Sequence, residues 1–236
     1  MAQLALLRHG QSEWNLEDRF TGWWDVDLTP LGESEARSSG KLLRATGVDF
    51  VRAYSSVQKR AIRTLWLALE EMDRVWLPVT KDWRLNERHY GGLTGLNKAD
   101  TAARHGDDQV KVWRRSFDIP PPDLEPRSEF DLTGDARYRG LAIPKTESLK
   151  TTLARVLPYW TGEIAPRLEG GENIIVAAHG NSLRAIMKHL FGVSDEHITE
   201  VEIPTGNPLL IDLDNALQVV AARYLDPARA KTLPPA

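Results

Sequence analysis

Along most of the chain, short apolar runs ended by glycine or polar residues alternate with stretches of helical period. Residues 3–7 (QLALL) run apolar and stop at Arg8-His9-Gly10, which predicts a buried strand. Thr29 before Pro30 reads as an N-cap with proline in the first turn. Leu31, Ala36, Leu42 and Leu43 then supply the inner face of a helix that stops at Gly47. Residues 51–54 (VRAY) predict a second strand. Ser56 is the expected cap of the next helix, with Ala61, Ile62, Leu65, Trp66 and Leu69 at helical spacing. Residues 75–79 (VWLPV) predict a third strand, which Pro78 assigns to a sheet edge. Residues 146–168 are helical in period, through Leu149, Leu153, Val156, Leu157, Trp160 and Ile164, with a kink expected at Pro158. Residues 174–178 (IIVAA) are a strongly apolar strand ending at His179-Gly180, and Leu183, Ile186, Met187 and Leu190 form the helix after it, stopped by Gly192. Residues 209–213 and 217–222 read as a closing hairpin.

Alternation of this kind predicts an α/β fold: a three-layer sandwich with a mostly parallel central sheet flanked by helices. One segment departs from it. Residues 82–145 hold few apolar runs and include Pro120-Pro121-Pro122. They are too long for a simple connection. They read as an insertion, helical over about 97–115, that helps to cover a site. The whole chain, 1–236, is expected to be a single domain with a flexible tail from about 227, through Pro234-Pro235.

Composition narrows the chemistry. The chain has no cysteine, which removes disulfides, thiolate metal sites and a cysteine nucleophile. A formal net charge of −3 gives no bulk attraction to nucleic acid or to a membrane, so an anion site requires a local cluster of cations. The N-terminal MAQLALLRHG lacks the basic and long apolar regions of a signal peptide, and no run is long enough to span a bilayer. A cytoplasmic setting is expected.

LALLRHGQS and IIVAAHGNS share one design: apolar strand, His-Gly, polar residue, serine. In a parallel sheet, ligands bind beyond the carboxyl ends of the strands. Two central strands of this kind would bring His9 and His179 to one pocket. Companions for metal ligation are missing, as are GxSxG, GxxxxGK[ST] and GxGxxG. The neighbours are cations instead: Arg8, Arg60, Lys98, Arg114 and Arg115. Guanidinium forks match phosphate oxygens. A neutral imidazole is a competent nucleophile toward phosphorus. The combination points to phosphoryl transfer through His9, with Arg8, Arg60 and His179 neutralising the transferred group.

RHGQSEWN (8–15), FTGWWDVDLT (20–29), KRAIRT (59–64), LNERHYGGLTGLNKA (85–99), VWRR (112–115), TESL (146–149), AAHGNSLRA (177–185) and IPTGNPL (203–209) extend this reading. In order and over nearly the whole chain, they resemble the cofactor-dependent phosphoglycerate mutases of the histidine phosphatase superfamily. The resemblance implies that His9 carries the phosphoryl group, that Glu87 is general acid and base, and that His179 stabilises the transferring group, beside Arg8 and Arg60. It implies contacts to substrate from the run after His9, namely Gly10, Gln11, Ser12, Glu13, Trp14 and Asn15, and from Thr21 and Gly22. Arg88, His89 and Tyr90 follow from NERHY, Gly180 and Asn181 from AAHGNS, and Lys98, Arg114 and Arg115 complete the set. The implied cofactor is 2,3-bisphosphoglycerate, with no metal. The implied substrates are 2- and 3-phosphoglycerate, and the implied assembly is a homodimer.

Two other functions fit the same motifs. Water in place of a second hydroxyl would make the chain a phosphatase of small phosphorylated metabolites. Loss of chemistry would make it a phosphate-binding module, which the intact His9, Arg60, Glu87 and His179 oppose. The tail after Tyr224 is short, with Arg229 and Lys231 as its only cations. Looser closure and a bisphosphoglycerate phosphatase side reaction are expected from it. His105, His189 and His197 belong to no constellation.

Overall fold

The computed structural model describes residues 1–234. Six strands form one sheet: β1 (Ala2–Arg8), β2 (Phe50–Ser55), β3 (Val79–Lys81), β4 (Asn173–Ala178), β5 (Leu209–Leu213) and β6 (Val219–Tyr224). Their order is β3-β2-β4-β1-β5-β6, parallel from β3 to β1, with β5 and β6 antiparallel. The period-two pattern of β1 divides its side chains between two cores. Ala5 and Leu7 join Ala53, Ile175 and Ala177 beneath α2 (Pro30–Ala45) and α3 (Lys59–Met72). Leu4 and Leu6 join Ile174 and Val176 on the opposite face. That face is covered by α6 (Leu149–Tyr159), α7 (Ala165–Glu169) and α8 (Gly180–Leu190). The apolar runs are continuous because both faces are buried.

Several local expectations change. Thr29 caps α2 as expected, but Leu31, in its first turn, is exposed, and the inner face is built from Ala36, Ser39, Gly40 and Leu43. Gly40 is there because a Cβ would lie 2.3 Å from Ala68 O of α3. Ser56 does not cap α3. The first N–H of that helix, at Lys59, donates to Asp25 Oδ1 instead. The third strand is shorter and later than the apolar run predicts. Val75 and Trp76 are exposed, and β3 begins after Pro78, at the edge. The strand at 217–222 starts at Val219, because Leu217 turns with φ 57°.

The helix expected over 97–115 is two, α4 (Lys98–His105) and α5 (Asp107–Arg115), broken at Gly106 with φ 84°. The 146–168 helix is also divided. Pro158 and Pro166 each remove a backbone donor, and between them Trp160–Ile164 widens into a π turn joining α6 to α7. A short helix, α1 (Glu13–Leu16), follows the His9 loop, capped reciprocally by Ser12 and Asn15. Of the tail, residues 235–236 lie outside the described residues. Arg229 ties the part before them to Glu35, Thr205 O and Gly206 O, and Lys231 pairs with Glu202.

Candidate active site

The site follows from one register. β1 and β4 are neighbours, with Arg8 opposite Ala178, and His9 N–H donates to Ala178 O at 3.0 Å. His9 and His179, the next residue of each strand, therefore stand side by side, ring centroids 5.0 Å apart. Both are buried. His9 Nδ1 lies 2.7 Å from Gly10 O. A carbonyl only accepts, so Nδ1 carries the proton and Nε2 keeps its lone pair. Burial, then the charges of Arg60 and Arg8, hold His9 well below the ordinary histidine range. His179 is lowered in the same way, by burial first, then Arg60 and His9. Its Nε2 bonds Ser56 Oγ at 2.7 Å. That bond is the use of the serine expected to cap a helix.

A cavity of about 180 Å³ opens beside them. Arg8, His9, Asn15, Thr21, Gly22 and Arg60 line it, with Glu87, Tyr90, Lys98, Arg114, Arg115, Gly180 and Asn181. The cluster of cations expected from sequence is thus gathered in one place. Arg60 is fully buried, donating to Trp24 O and Gly22 O at 3.0 and 2.9 Å. Burial lowers it to about 10, against the opposing charges of Glu87 and Asp25, so it stays charged at neutral pH. Arg8 Nε, Arg60 Nε and His179 Nδ1 are buried and have no protein partner. Buried donors are normally paired, so three unpartnered nitrogens around His9 fit an oxyanion with several acceptor oxygens, such as a phosphoryl group.

Glu87 is held tightly by one oxygen. Its Oε1 accepts from Arg88 N–H at 2.7 Å, Asn181 N–H at 3.1 Å and Asn181 Nδ2 at 2.7 Å. Its own N–H donates to Gln58 Oε1, and Gln58 Nε2 donates to Gly22 O. Behind this loop, Arg155 and Glu147 form a buried pair at 2.6 Å. Arg155 also donates to Arg84 O, Asn86 O and Glu87 O, and Glu147 accepts from His89 N–H. Residues 86–90, between two single 3-10 turns (Trp83–Leu85 and Gly91–Leu93), are thereby fixed without a helix or strand of their own.

Other residues expected to touch substrate do not line the cavity. Gly10 allows close approach to α2, since a Cβ would fall 2.2 Å from Gly32 O. Gln11 bonds Thr29, Ser12 caps α1, and Glu13 accepts from Asp27 N–H. Trp14 packs against Phe130 beneath Arg19. His89 packs on Trp23 and accepts from Gly91 N–H, and Arg88 donates to Arg114 O over the Tyr90 ring. Sequence reading missed Arg19, Phe20 and Arg184 on the wall, and Ser56, Gln58, Glu147 and Arg155 behind it. A usable signal existed for Arg184, which is three residues after Asn181 and so on the same helix face. Among the described residues no group of three or more His, Cys, Asp or Glu side chains is placed to hold a metal, and no helix is long and apolar enough to cross a membrane.

The sequence profile of the histidine phosphatase superfamily (branch 1) matches residues 4–132 and 127–223. The fold is shared with a mycobacterial glucosyl-3-phosphoglycerate phosphatase solved with VO3, at 23% identity and TM-score 0.72 over 95% of this chain and 97% of that one. Much nearer in sequence are proteins named 2,3-bisphosphoglycerate-dependent phosphoglycerate mutase. The one from Hyphomonas neptunium is 69% identical over 99% of both chains. The one from Caulobacter vibrioides is 64% identical, again over 99% of both. The chain belongs to the histidine phosphatase superfamily and, within it, to the family of 2,3-bisphosphoglycerate-dependent phosphoglycerate mutases.

Proposed function

We propose that this chain interconverts 2-phosphoglycerate and 3-phosphoglycerate, a step of glycolysis and gluconeogenesis, through a phosphohistidine at His9. The observation that carries the reading is the neutral His9, proton on Nδ1 and lone pair on Nε2, with Arg8 and Arg60 close by whose buried Nε groups meet no protein acceptor. His9 Nε2 attacks phosphorus, the ester P–O bond breaks, and its electron pair leaves on the substrate oxygen. Glu87 delivers the proton to that oxygen. In the return transfer the accepting hydroxyl gives its proton to Glu87 while the P–N bond breaks.

Arg8, Arg60, Asn15 and His179 meet the equatorial oxygens of the transferring group. A phosphoryl dianion against His179 opposes the burial and the cationic neighbours that keep its pKa low, so the imidazole gains a proton where charge develops. Thr21, Gly22, Tyr90, Lys98, Arg114 and Arg115 hold the rest of the substrate, and its carboxylate suits the arginine pair. 2,3-Bisphosphoglycerate supplies the phosphoryl group that primes His9, and the orphaned buried donors together with the distal cations fit its two phosphates. Gln11, Ser12, Glu13, Trp14, Arg88 and His89 act through the shape of the loops that carry the wall.

The test is mutase turnover with and without 2,3-bisphosphoglycerate, for the native chain and His9→Ala. Cofactor-dependent turnover and an acid-labile phosphohistidine are expected, both lost in the variant. Turnover that ignores the cofactor, or survives in His9→Ala, would overturn the reading. Hydrolysis without isomerisation would make it a phosphatase.

A cytoplasmic homodimer is part of the same reading. The outer edge of β3 is unpaired among the described residues, and Trp66, Val75 and Trp76 are exposed. Sedimentation at micromolar concentration tests it, with a monomer as the contrary result.

A further inference from the structure

Arg184 lines the cavity, yet no step above uses it. It is a buried guanidinium, and among the described residues no carboxylate lies within ion-pair distance of it. Burial, with Arg115 and Arg88 nearby, lowers it to about 10. Such a cation needs a reason to be there. Its bonds supply one. Nε donates to Val201 O at 3.0 Å, and Nη1 donates to Asn181 Oδ1 at 3.2 Å, one helical turn back on α8.

A guanidinium has donors only. Arg184 therefore dictates which way the Asn181 carboxamide faces: oxygen toward Arg184, nitrogen toward Glu87, where Nδ2 meets Oε1 at 2.7 Å. Turned by half a rotation, the amide would set Oδ1 against Oε1, two acceptors in contact. In the observed orientation Oε1 is occupied by three donors. Oε2 is the oxygen left to carry a proton, and it lies near Gly180, whose added Cβ would stand 3.7 Å from it, where both residues line the cavity.

We infer that Arg184 is a positioning residue for proton transfer: it locks the Asn181 amide so that Glu87 is held by Oε1 and exchanges its proton through Oε2. The inference rests on the reading of Glu87 as the acid and base. It requires arginine in particular. The planar fork reaches a backbone carbonyl and a side-chain amide in two fixed directions, which a lysine point charge does not.

The experiment compares Arg184→Met, Asn181→Ala, their double variant and Glu87→Gln. It measures kcat and KM for 3-phosphoglycerate, and phosphorylation of His9 by an aryl phosphate, whose phenolate leaves without a proton. Arg184→Met and Asn181→Ala are each expected to lower kcat about tenfold, a part of the roughly 10²–10⁴-fold that general acid–base catalysis supplies, with KM within about twofold. The double variant should be no slower than the slower single one, and His9 phosphorylation by the aryl phosphate should persist in all. Additive losses in the double variant, or a raised KM with native kcat, would overturn the proposal, since either outcome makes Arg184 an independent element or a direct substrate contact. If Arg184→Met does not fold, Asn181→Asp serves in its place: it keeps an acceptor for Arg184 but offers Glu87 no side-chain donor. The same kcat loss is expected there, and native kcat overturns the proposal. Glu87→Gln separates the two levels. Native turnover in that variant removes the reading of Glu87 itself. A dead Glu87→Gln beside native Arg184→Met and Asn181→Asp removes only the role of Arg184.

Discussion

At the scale of single residues, the chemistry depends on groups that are individually ordinary and jointly constrained. Ser56 is an example. Its hydroxyl meets His179 Nε2 and also accepts from Gln58 N–H. Ser56→Ala leaves a buried imidazole nitrogen unpartnered, which costs about 1–3 kcal/mol, and frees the ring to turn away from His9. The expected outcome is a lower urea midpoint together with slower His9 phosphorylation, read in one variant by denaturation and by phosphate trapping. Gly32 is constrained by space alone: a Cβ would stand 2.0 Å from Gln11 O. Gly32→Ala should push the His9 loop off α2 and destabilise by about 1–3 kcal/mol or more, with kcat falling as well; unchanged kcat would mean that the loop relaxes without moving His9. Residues of this sort mark the limit of reading from sequence. His9, His179, Arg60 and Glu87 were legible because their types and flanking motifs carry chemistry by themselves. Ser56, Gln58 and Arg184 were not, because each acquires its role from a partner far away in the chain or from one particular rotamer.

At the scale of elements, the strands and long helices were legible because burial on both faces of a sheet leaves unbroken apolar runs. Errors fell where another interaction outweighed that pattern. Val75 and Trp76 are apolar but exposed beyond the sheet edge, and Gly106 breaks a helix that composition alone would continue. The stretch from 82 to 148 was least legible, since its order comes from bonds to other segments. The Glu147–Arg155 pair is the chief of these. Removing one partner of a buried, hydrogen-bonded pair costs about 3–5 kcal/mol. Arg155→Met should therefore lower the melting temperature by roughly 6–20 °C for a chain of this size. It should also loosen residues 84–89, detected as faster amide exchange there than in β1 or β4. A melting point within a degree or two of native would contradict the role assigned to the pair.

At the scale of the whole molecule, three histidines are buried in neutral form. His89 is lowered to about 4, by burial chiefly, and its Nδ1 accepts from Gly91 N–H, a bond only the neutral ring makes. His9 and His179 lie well below the ordinary value as well. Groups whose folded pKa is depressed contribute stability that is fully present above the unfolded value, about 6.5, and lost as pH falls. Folding here excludes up to three protons, so the unfolding free energy should decline below about pH 6.5 with a slope approaching ~4 kcal/mol per pH unit. Glu147, also held low because Arg155 and the His89 N–H outweigh its burial, adds a further loss below the ordinary carboxylate value. Urea unfolding at pH 7.5, 6.5 and 5.5 checks the slope; a flat profile would mean that the histidines titrate in the folded state. Vanadate or inorganic phosphate should restore part of the lost stability, since an anion beside His9 and His179 makes their protonated forms acceptable.

The pairing of β1 with β4 has a consequence in time. The two halves of the reactive centre are made at opposite ends of synthesis, and they meet only when a strand from late in the chain is inserted between β1 and β2. Closing that long loop is an intrinsically slow, non-local event. A nascent chain still lacking residues 173–179 should be chemically silent however well its first half has condensed. Recovery of phosphoryl transfer during refolding should follow the seating of β4, not the earlier gain of helix, so the reaction itself serves as a clock for completion of the sheet.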